Sequence, residues 1–142
     1  MIREFQKGDE TGIAELEREC FSDPWSKEAV LESAASGMRF FVFEENSRII
    51  GYVGLQTVLD EGYITNIAVN SSYQRQGIGQ KLLQALDETA EKLSLSFISL
   101  EVRESNSSAI KLYTKMGYVS DGTRPNFYEN PRENAIIMTK RR

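Results

Sequence analysis

The sequence predicts a mixed α/β fold in which helices cover both faces of a central β-sheet. Three observations carry that prediction. Strand-like segments at Met38–Glu44, Ile49–Leu59 and Tyr63–Val69 follow one another through short polar turns, as an antiparallel meander does. A strand–helix–strand unit from Ile64 to Val102 then calls for a parallel pairing with a right-handed crossover. The full order, β-α-α-β-β-β-α-β-α-β-β, fits into 142 residues, so a single domain spanning residues 1–142 is expected.

Each element has its own local signal. Ile2 to Phe5 alternates apolar and charged residues as a short strand does. Asp9 is placed to cap a helix whose apolar positions Ile13, Leu16 and Cys20 recur at three and four. Phe21-Ser22-Asp23-Pro24-Trp25-Ser26 interrupts that pattern. Ser26 is then the expected N-cap of a second helix carrying Val30, Leu31 and Ala34 and stopped by Gly37. Glu45-Asn46-Ser47 and Asp60-Glu61-Gly62 link the three meander strands. Gly51 and Gly54 inside the middle strand predict a bulge or a close backbone approach. Ile78, Leu82, Leu83, Leu86, Ala90 and Leu93 line one face of a helix, and Gln80, Asp87, Glu88, Glu91 and Lys92 the other. Phe97 to Val102 alternates again. Ser105-Asn106 caps a helix with Ala109, Ile110, Tyr113 and Met116 on its inward face and Gly117 at its end. Tyr118–Val119 and Ala135–Lys140 are predicted as the last strands, separated by a loop holding Pro125, Asn126-Phe127-Tyr128 and Pro131.

Composition narrows the chemistry. With 40% hydrophobic and 27% charged residues this is the balance of a soluble globular protein. No apolar run approaches a membrane span, and Met1-Ile2-Arg3-Glu4 lacks the apolar core of a signal peptide, so a cytoplasmic location is expected. Histidine is absent, which removes the usual general base, the Ser-His and Cys-His nucleophile pairs and nearly all zinc sites; no metal is expected. The one cysteine, Cys20, lies on the apolar side of its helix and reads as a small buried hydrophobe. A net charge of -4 argues against direct nucleic-acid binding and favours a basic partner, and the Lys140-Arg141-Arg142 tail reads as a solvated end. No feature of the pattern specifies an oligomeric state.

Gln74-Arg75-Gln76-Gly77-Ile78-Gly79 joins a strand to a helix start. N–H groups in the first turn of a helix have no intrahelical partner and carry the positive end of the helix dipole, so the turn can hold a phosphate. Glycines at 77 and 79 remove Cβ atoms from its path, and Arg75 adds a forked cation. The plain alternative is an ordinary strand-to-helix turn. Glu101 lies at the C-terminal end of its strand, the edge where open α/β sheets present ligands. Tyr113 falls two helical turns beyond Asn106 on the same side. A solvent carboxylate paired with Arg103 and a core tyrosine are the alternatives at Glu101 and Tyr113. Trp25 either plugs the gap between the first two helices or walls a substrate site.

The glycine turn matches the pyrophosphate motif, Gln or Arg-x-x-Gly-x-Gly or Ala, of the GNAT superfamily of N-acetyltransferases. Asn66-Ile67-Ala68-Val69, Leu100-Glu101-Val102-Arg103, Ser105-Asn106, Leu112-Tyr113 and Gly117-Tyr118 resemble the RimI branch, the ribosomal-protein alanine N-acetyltransferases. Pro24-Trp25-Ser26 and Ala135-Ile136-Ile137-Met138 extend the likeness over almost the whole chain. The resemblance implies the GNAT fold with acetyl-CoA as co-substrate. It implies that the backbone of Ile67, Ala68 and Val69 pairs with the pantetheine arm, that Arg75, Gln76, Gly77, Ile78, Gly79 and Gln80 wrap the pyrophosphate, and that Asn106 helps hold the cofactor. Glu101 is the implied general base and Tyr113 the implied general acid. Pro24, Trp25 and Tyr128 are expected to shape the substrate groove. The expected acceptor is a protein N-terminus, the N-terminal alanine of a small-subunit ribosomal protein. The chain departs from the branch at Asn126-Phe127-Tyr128-Glu129, where Asn-Tyr-Tyr-Pro is usual, and at Asn134, where an acid is usual. A small-molecule amine as acceptor, and a CoA-binding regulatory module without turnover, are the alternatives.

Overall fold

Residues 1–142 are described by a computed structural model. Its elements are β1 (Ile2–Glu4), α1 (Asp9–Cys20), α2 (Lys27–Ala35), β2 (Arg39–Glu45), β3 (Arg48–Val58), β4 (Glu61–Val69), α3 (Ile78–Lys92), β5 (Phe97–Arg103), α4 (Ser107–Lys115), β6 (Val119–Tyr128) and β7 (Glu133–Arg141), with a single 3-10 turn at Ser71–Tyr73. The order of strands and helices is the predicted one. All strands join one seven-stranded sheet in the order β1-β2-β3-β4-β5-β7-β6. Only β4 and β5 pair in parallel, as the intervening α3 crossover requires.

Alternation along the strands sends side chains to two cores. Val42 and Tyr52 meet Ile13, Leu16 and Val30 of α1 and α2 on one face. Their neighbours Phe43 and Val53 meet Ile78, Leu82, Leu83 and Leu86 of α3 on the other, where Tyr113 of α4 also packs. Leu82, Leu83 and Leu86 are essentially fully buried, each contributing about 1.5–3 kcal/mol of apolar burial. Gly51 is the close approach anticipated in β3, because a Cβ there would sit 2.9 Å from Ile78 Cγ2. Gly54 marks the anticipated bulge: it pairs with Asn66 while Leu55 pairs with Ile64, leaving Thr65 without a partner.

The feature that positions the site is a splay. β4 and β5 pair only where Glu61, Gly62 and Tyr63 face Phe97, Ile98 and Ser99. Farther on, β4 stays on β3 out to Val69 opposite Gly51, and β5 stays on β7 out to Arg103 opposite Ala135. Their facing edges therefore run unpaired, leaving backbone donors and acceptors free to bond something else.

Three local expectations are corrected. Gly8, with φ 112°, is the N-cap of α1, and Asp9 lies in the first turn. The Asp9 carboxylate accepts from Gln6 N at 2.7 Å and from Arg3 at 2.8 and 2.9 Å, so an ion pair to β1 has replaced the cap. The β3–β4 link is tighter than expected, with Leu59 at φ 55° and strand resuming at Glu61. The stretch Pro125–Tyr128, expected as loop, belongs to β6. An edge strand tolerates a proline that cannot donate, and the register of β6 on β7 slips between Arg124 and Tyr128. Asn134 Oδ1 takes the N–H of Asn126 at 2.9 Å there. No helix is long and apolar enough to cross a membrane.

Candidate active site

The splay opens a cavity of about 910 Å³. β4 supplies Tyr63 to Ile67, β5 supplies Leu100 to Arg103, and α4 supplies Tyr113, with its N-cap Asn106 beside it. The α1–α2 connection adds Phe21, Ser22 and Asp23, and the end of β6 with its turn adds Phe127 to Pro131. Two loops thus face each other across it, tied by Ser22 Oγ donating to Asn130 O at 2.9 Å.

Glu101 and Tyr113 line the same cavity. Glu101 is half-buried and its ion partner is Arg124, Nε to Oε1 3.4 Å. Arg103 points elsewhere: it donates to the carbonyls of Pro131 and Glu129 at 2.9 and 3.0 Å, pairs with Glu133 at 3.1 Å, and lies 4.4 Å from the centre of the Tyr128 ring. The Glu101–Arg103 pairing considered from the sequence does not form. Tyr113 is buried, which pushes its phenol well above the ordinary value, with Tyr128 adding to the lift. The Tyr128 phenol is pushed up to about 12, by burial first and the charge of Glu101 second. Both phenols hold their protons through the neutral range.

Asn106 lines the cavity while its Oδ1 accepts from Ala109 N at 3.2 Å, the N-cap expected of it. Ile67 also lines it; Ala68 and Val69 continue the same strand just beyond. The turn Arg75–Gln80 lies outside the wall, at the end of α3 that rests on Gly51, the residue paired with Val69. Arg75 and Gly77 are left-handed, with φ 65° and 78°. The first α3 bond runs from Lys81 N to Gly77 O at 3.0 Å, so the N–H groups of Ile78, Gly79 and Gln80 have no helical acceptor. A Cβ on Gly79 would lie 2.9 Å from Leu112 Cδ2, which puts this turn against the helix that carries Tyr113. The free strand edge, the open N–H groups and the left-handed glycine fit a pantetheine diphosphate.

Two groove residues are placed differently. Pro24 and Trp25 do not line the cavity. Trp25 packs edge-on against Phe40, centroids 6.5 Å apart, so the packing alternative describes it. Their neighbours Phe21 to Asp23 form part of the wall, and Tyr128 lines the same cavity. Cys20 Sγ is half-buried and leans on Val69 O at 3.7 Å. Burial and the nearby Glu19 and Glu17 push its thiol up, away from nucleophilic use. Sequence reasoning missed Glu17, which is fully buried beneath this wall. The signal was available: a carboxylate four residues after Ile13 and three before Cys20 sits inside the apolar stripe.

The sequence and fold agree with known proteins. Residues 11–118 match the model of the acetyltransferase (GNAT) family. The ribosomal protein bS18-alanine N-acetyltransferase of Haemophilus ducreyi is 36% identical over 141 residues, covering 97% of each chain. The Escherichia coli K12 enzyme of the same description is 37% identical over 125 residues, 87% of this chain and 84% of the relative. The crystal structure of the ribosomal-protein-S18-alanine N-acetyltransferase from Escherichia coli superposes with a TM-score of 0.91 at 34% identity, over 99% of this chain and 92% of that one. The chain belongs to the acetyltransferase (GNAT) family of acetyl-CoA-dependent N-acetyltransferases.

Proposed function

We propose that this enzyme acetylates the α-amine of an N-terminal alanine on a small-subunit ribosomal protein, as its bS18-directed relatives are named for doing. The observation that carries the reading is the cavity that gathers Glu101 and Tyr113 beside the unpaired edge of β4. A cytoplasmic site of action goes with such an acceptor.

Acetyl-CoA supplies an activated acetyl group as its thioester. In the proposed reaction the backbone of Ile67, Ala68 and Val69 holds the pantetheine arm, the turn Arg75–Gln80 holds the diphosphate, and Asn106 steadies the cofactor from the α4 side. An α-ammonium of pKa near ~8 has to lose a proton before its nitrogen can attack. Glu101, directly or through water, accepts that proton. As the new C–N bond forms and the C–S bond breaks, Tyr113 gives its proton to the departing sulfur, and the second proton shed by the nitrogen as it becomes an amide leaves through solvent, from which the Tyr113 phenol is restored. Burial keeps that phenol protonated at neutral pH, so the proton is in place when the sulfur departs. No covalent acyl-enzyme is required. Tyr128 shapes the acceptor side of the cavity, and Trp25, following Pro24, anchors the opposite wall on Phe40.

The test is acetylation of a peptide beginning with the bS18 alanine, followed by mass and by thiol release, beside a polyamine. Glu101→Gln and Tyr113→Phe should each lower kcat/KM on the peptide by roughly 10²–10⁴-fold. The Glu101→Gln loss should be largest at low pH, where the amine arrives protonated. Wild-type rates in both variants would sink the acid–base assignment. Turnover of the polyamine alone would move the acceptor to small amines, and CoA binding with no acetylated product from either would make the protein a sensor.

A further inference from the structure

We propose that Glu17 is a positioning residue that fixes the acceptor wall of the cavity relative to β4. It is fully buried in α1 and has no cationic partner. Its donors come from three separate elements. Trp25 N, in the α1–α2 connection, donates to Oε1 at 2.9 Å; Asn66 Nδ2, in β4, donates to Oε2 at 2.7 Å; Tyr52 Oη, in β3, donates to Oε2 at 2.5 Å.

A carboxylate is a costly way to fill an apolar layer, and a hydrophobic side chain of similar volume would serve the fold alone. What an apolar residue cannot do is hold two separate elements in register through directed hydrogen bonds. Trp25 closes the connection whose Phe21–Asp23 segment walls the cavity. Asn66 follows the bulged Thr65 and itself lines the cavity, one residue before the strand edge assigned to the pantetheine arm. One carboxylate therefore ties the acceptor wall to the cofactor strand at a distance set by two hydrogen bonds. Glu17 touches no reacting atom and acts through Trp25 and Asn66. The proposal rests on the reading that the acceptor amine enters between that wall and β4.

Glu17→Gln tests it, because the amide turns a donor toward donors that the carboxylate accepted from. KM for the alanine peptide should rise about tenfold, with the Kd of CoA, measured by calorimetry, changed less than about twofold. Asn66→Asp should be at least as damaging, since two carboxylates then meet. The double variant Glu17→Gln with Asn66→Asp exchanges amide and carboxylate, and should bring the peptide KM back to within about threefold of wild type. Tyr52→Phe, which leaves both ties in place, should lower Tm without moving the peptide KM. An unchanged peptide KM in Glu17→Gln, equal losses toward both substrates, or no recovery in the double variant would overturn the proposal. Amide exchange in the wild-type protein decides the matter if Glu17→Gln does not fold or if no peptide is acetylated. Trp25 N–H should exchange as slowly as the buried amides of α1, and loop-like exchange there would overturn it. Failure of the wild-type enzyme to acetylate the peptide counts against the acceptor assignment and leaves that exchange result to judge Glu17.

Discussion

Gly77 shows what a single residue does for this site. Its φ of 78° is left-handed, and a Cβ there would meet nothing within 4 Å, so the glycine is needed for its backbone freedom. Gly77→Ala should lose roughly 1 kcal/mol of stability from that conformation alone, a fall in Tm of about 3–6 °C. It should also weaken CoA by about tenfold or more as the turn relaxes to another shape. Calorimetric titration checks this, and an unchanged CoA affinity would remove the turn from the cofactor site. Gly79→Ala is the milder partner, because its new Cβ meets only Leu112 Cδ2, the movable end of a side chain. This residue was legible in the sequence because its demand is local: a turn after a strand and before a helical stripe. Glu17 was harder to see, since Trp25, Tyr52 and Asn66 are distant in the chain and only the folded sheet brings them to it.

Among the elements, α3 was the most legible and β6 the least. Five of the residues predicted for the inner stripe of α3, Ile78, Leu82, Leu83, Leu86 and Ala90, are buried, because an amphipathic helix of this length writes its own period into the chain. β6 has no such freedom. Its residues are almost all exposed, it lies at the sheet edge, and β7 dictates its strand character through pairs such as Thr123 with Ile136. The Thr65 bulge and the parting of β4 from β5 are likewise properties of strand pairs, hidden from a single-strand pattern. The sheet in turn places α3. Gly51→Ala would set a Cβ 2.9 Å from Ile78 Cγ2 and 3.4 Å from both Leu82 Cδ1 and Ala68 O. Such overpacking should cost about 1–3 kcal/mol, read as a lower urea midpoint. The start of α3 should be displaced with it, so CoA binding should weaken while the acceptor KM holds. Equal loss toward both substrates would mean that the sheet, not the helix, had yielded.

At the scale of the whole molecule, carboxylates of opposite character shape the response to pH. Arg3 holds the Asp9 carboxyl below its ordinary range, with burial opposing and Gln6 N assisting. Near ~3.9, the ordinary aspartate value, the unfolded chain binds the proton more readily than the folded one. The contribution of Asp9 is therefore complete above that value and is lost as pH falls through its depressed one. Asp121, held by Arg141, and Glu133, held by Ser105 and Arg103, act in the same sense, and the share of the exposed Asp121 is screened. Glu17 acts in the opposite sense, because burial lifts its pKa despite the bonds from Trp25 and Tyr52. The titratable groups that face it are Tyr52 and Cys20, with no arginine or lysine among its partners. The folded state binds the Glu17 proton more tightly, so its contribution is full below the unfolded value of ~4.3 and declines as pH rises through the raised one. Urea unfolding between pH 3 and pH 8 should separate the two. The stability of wild type relative to Asp9→Asn should grow with pH up to about 4–5 and then level off, whereas its stability relative to Glu17→Gln should shrink with rising pH above about 4. A wild-type advantage over Glu17→Gln that grew with pH would mean that the three donors outweigh burial, and that the carboxylate under the acceptor wall is held as an anion by its bonds.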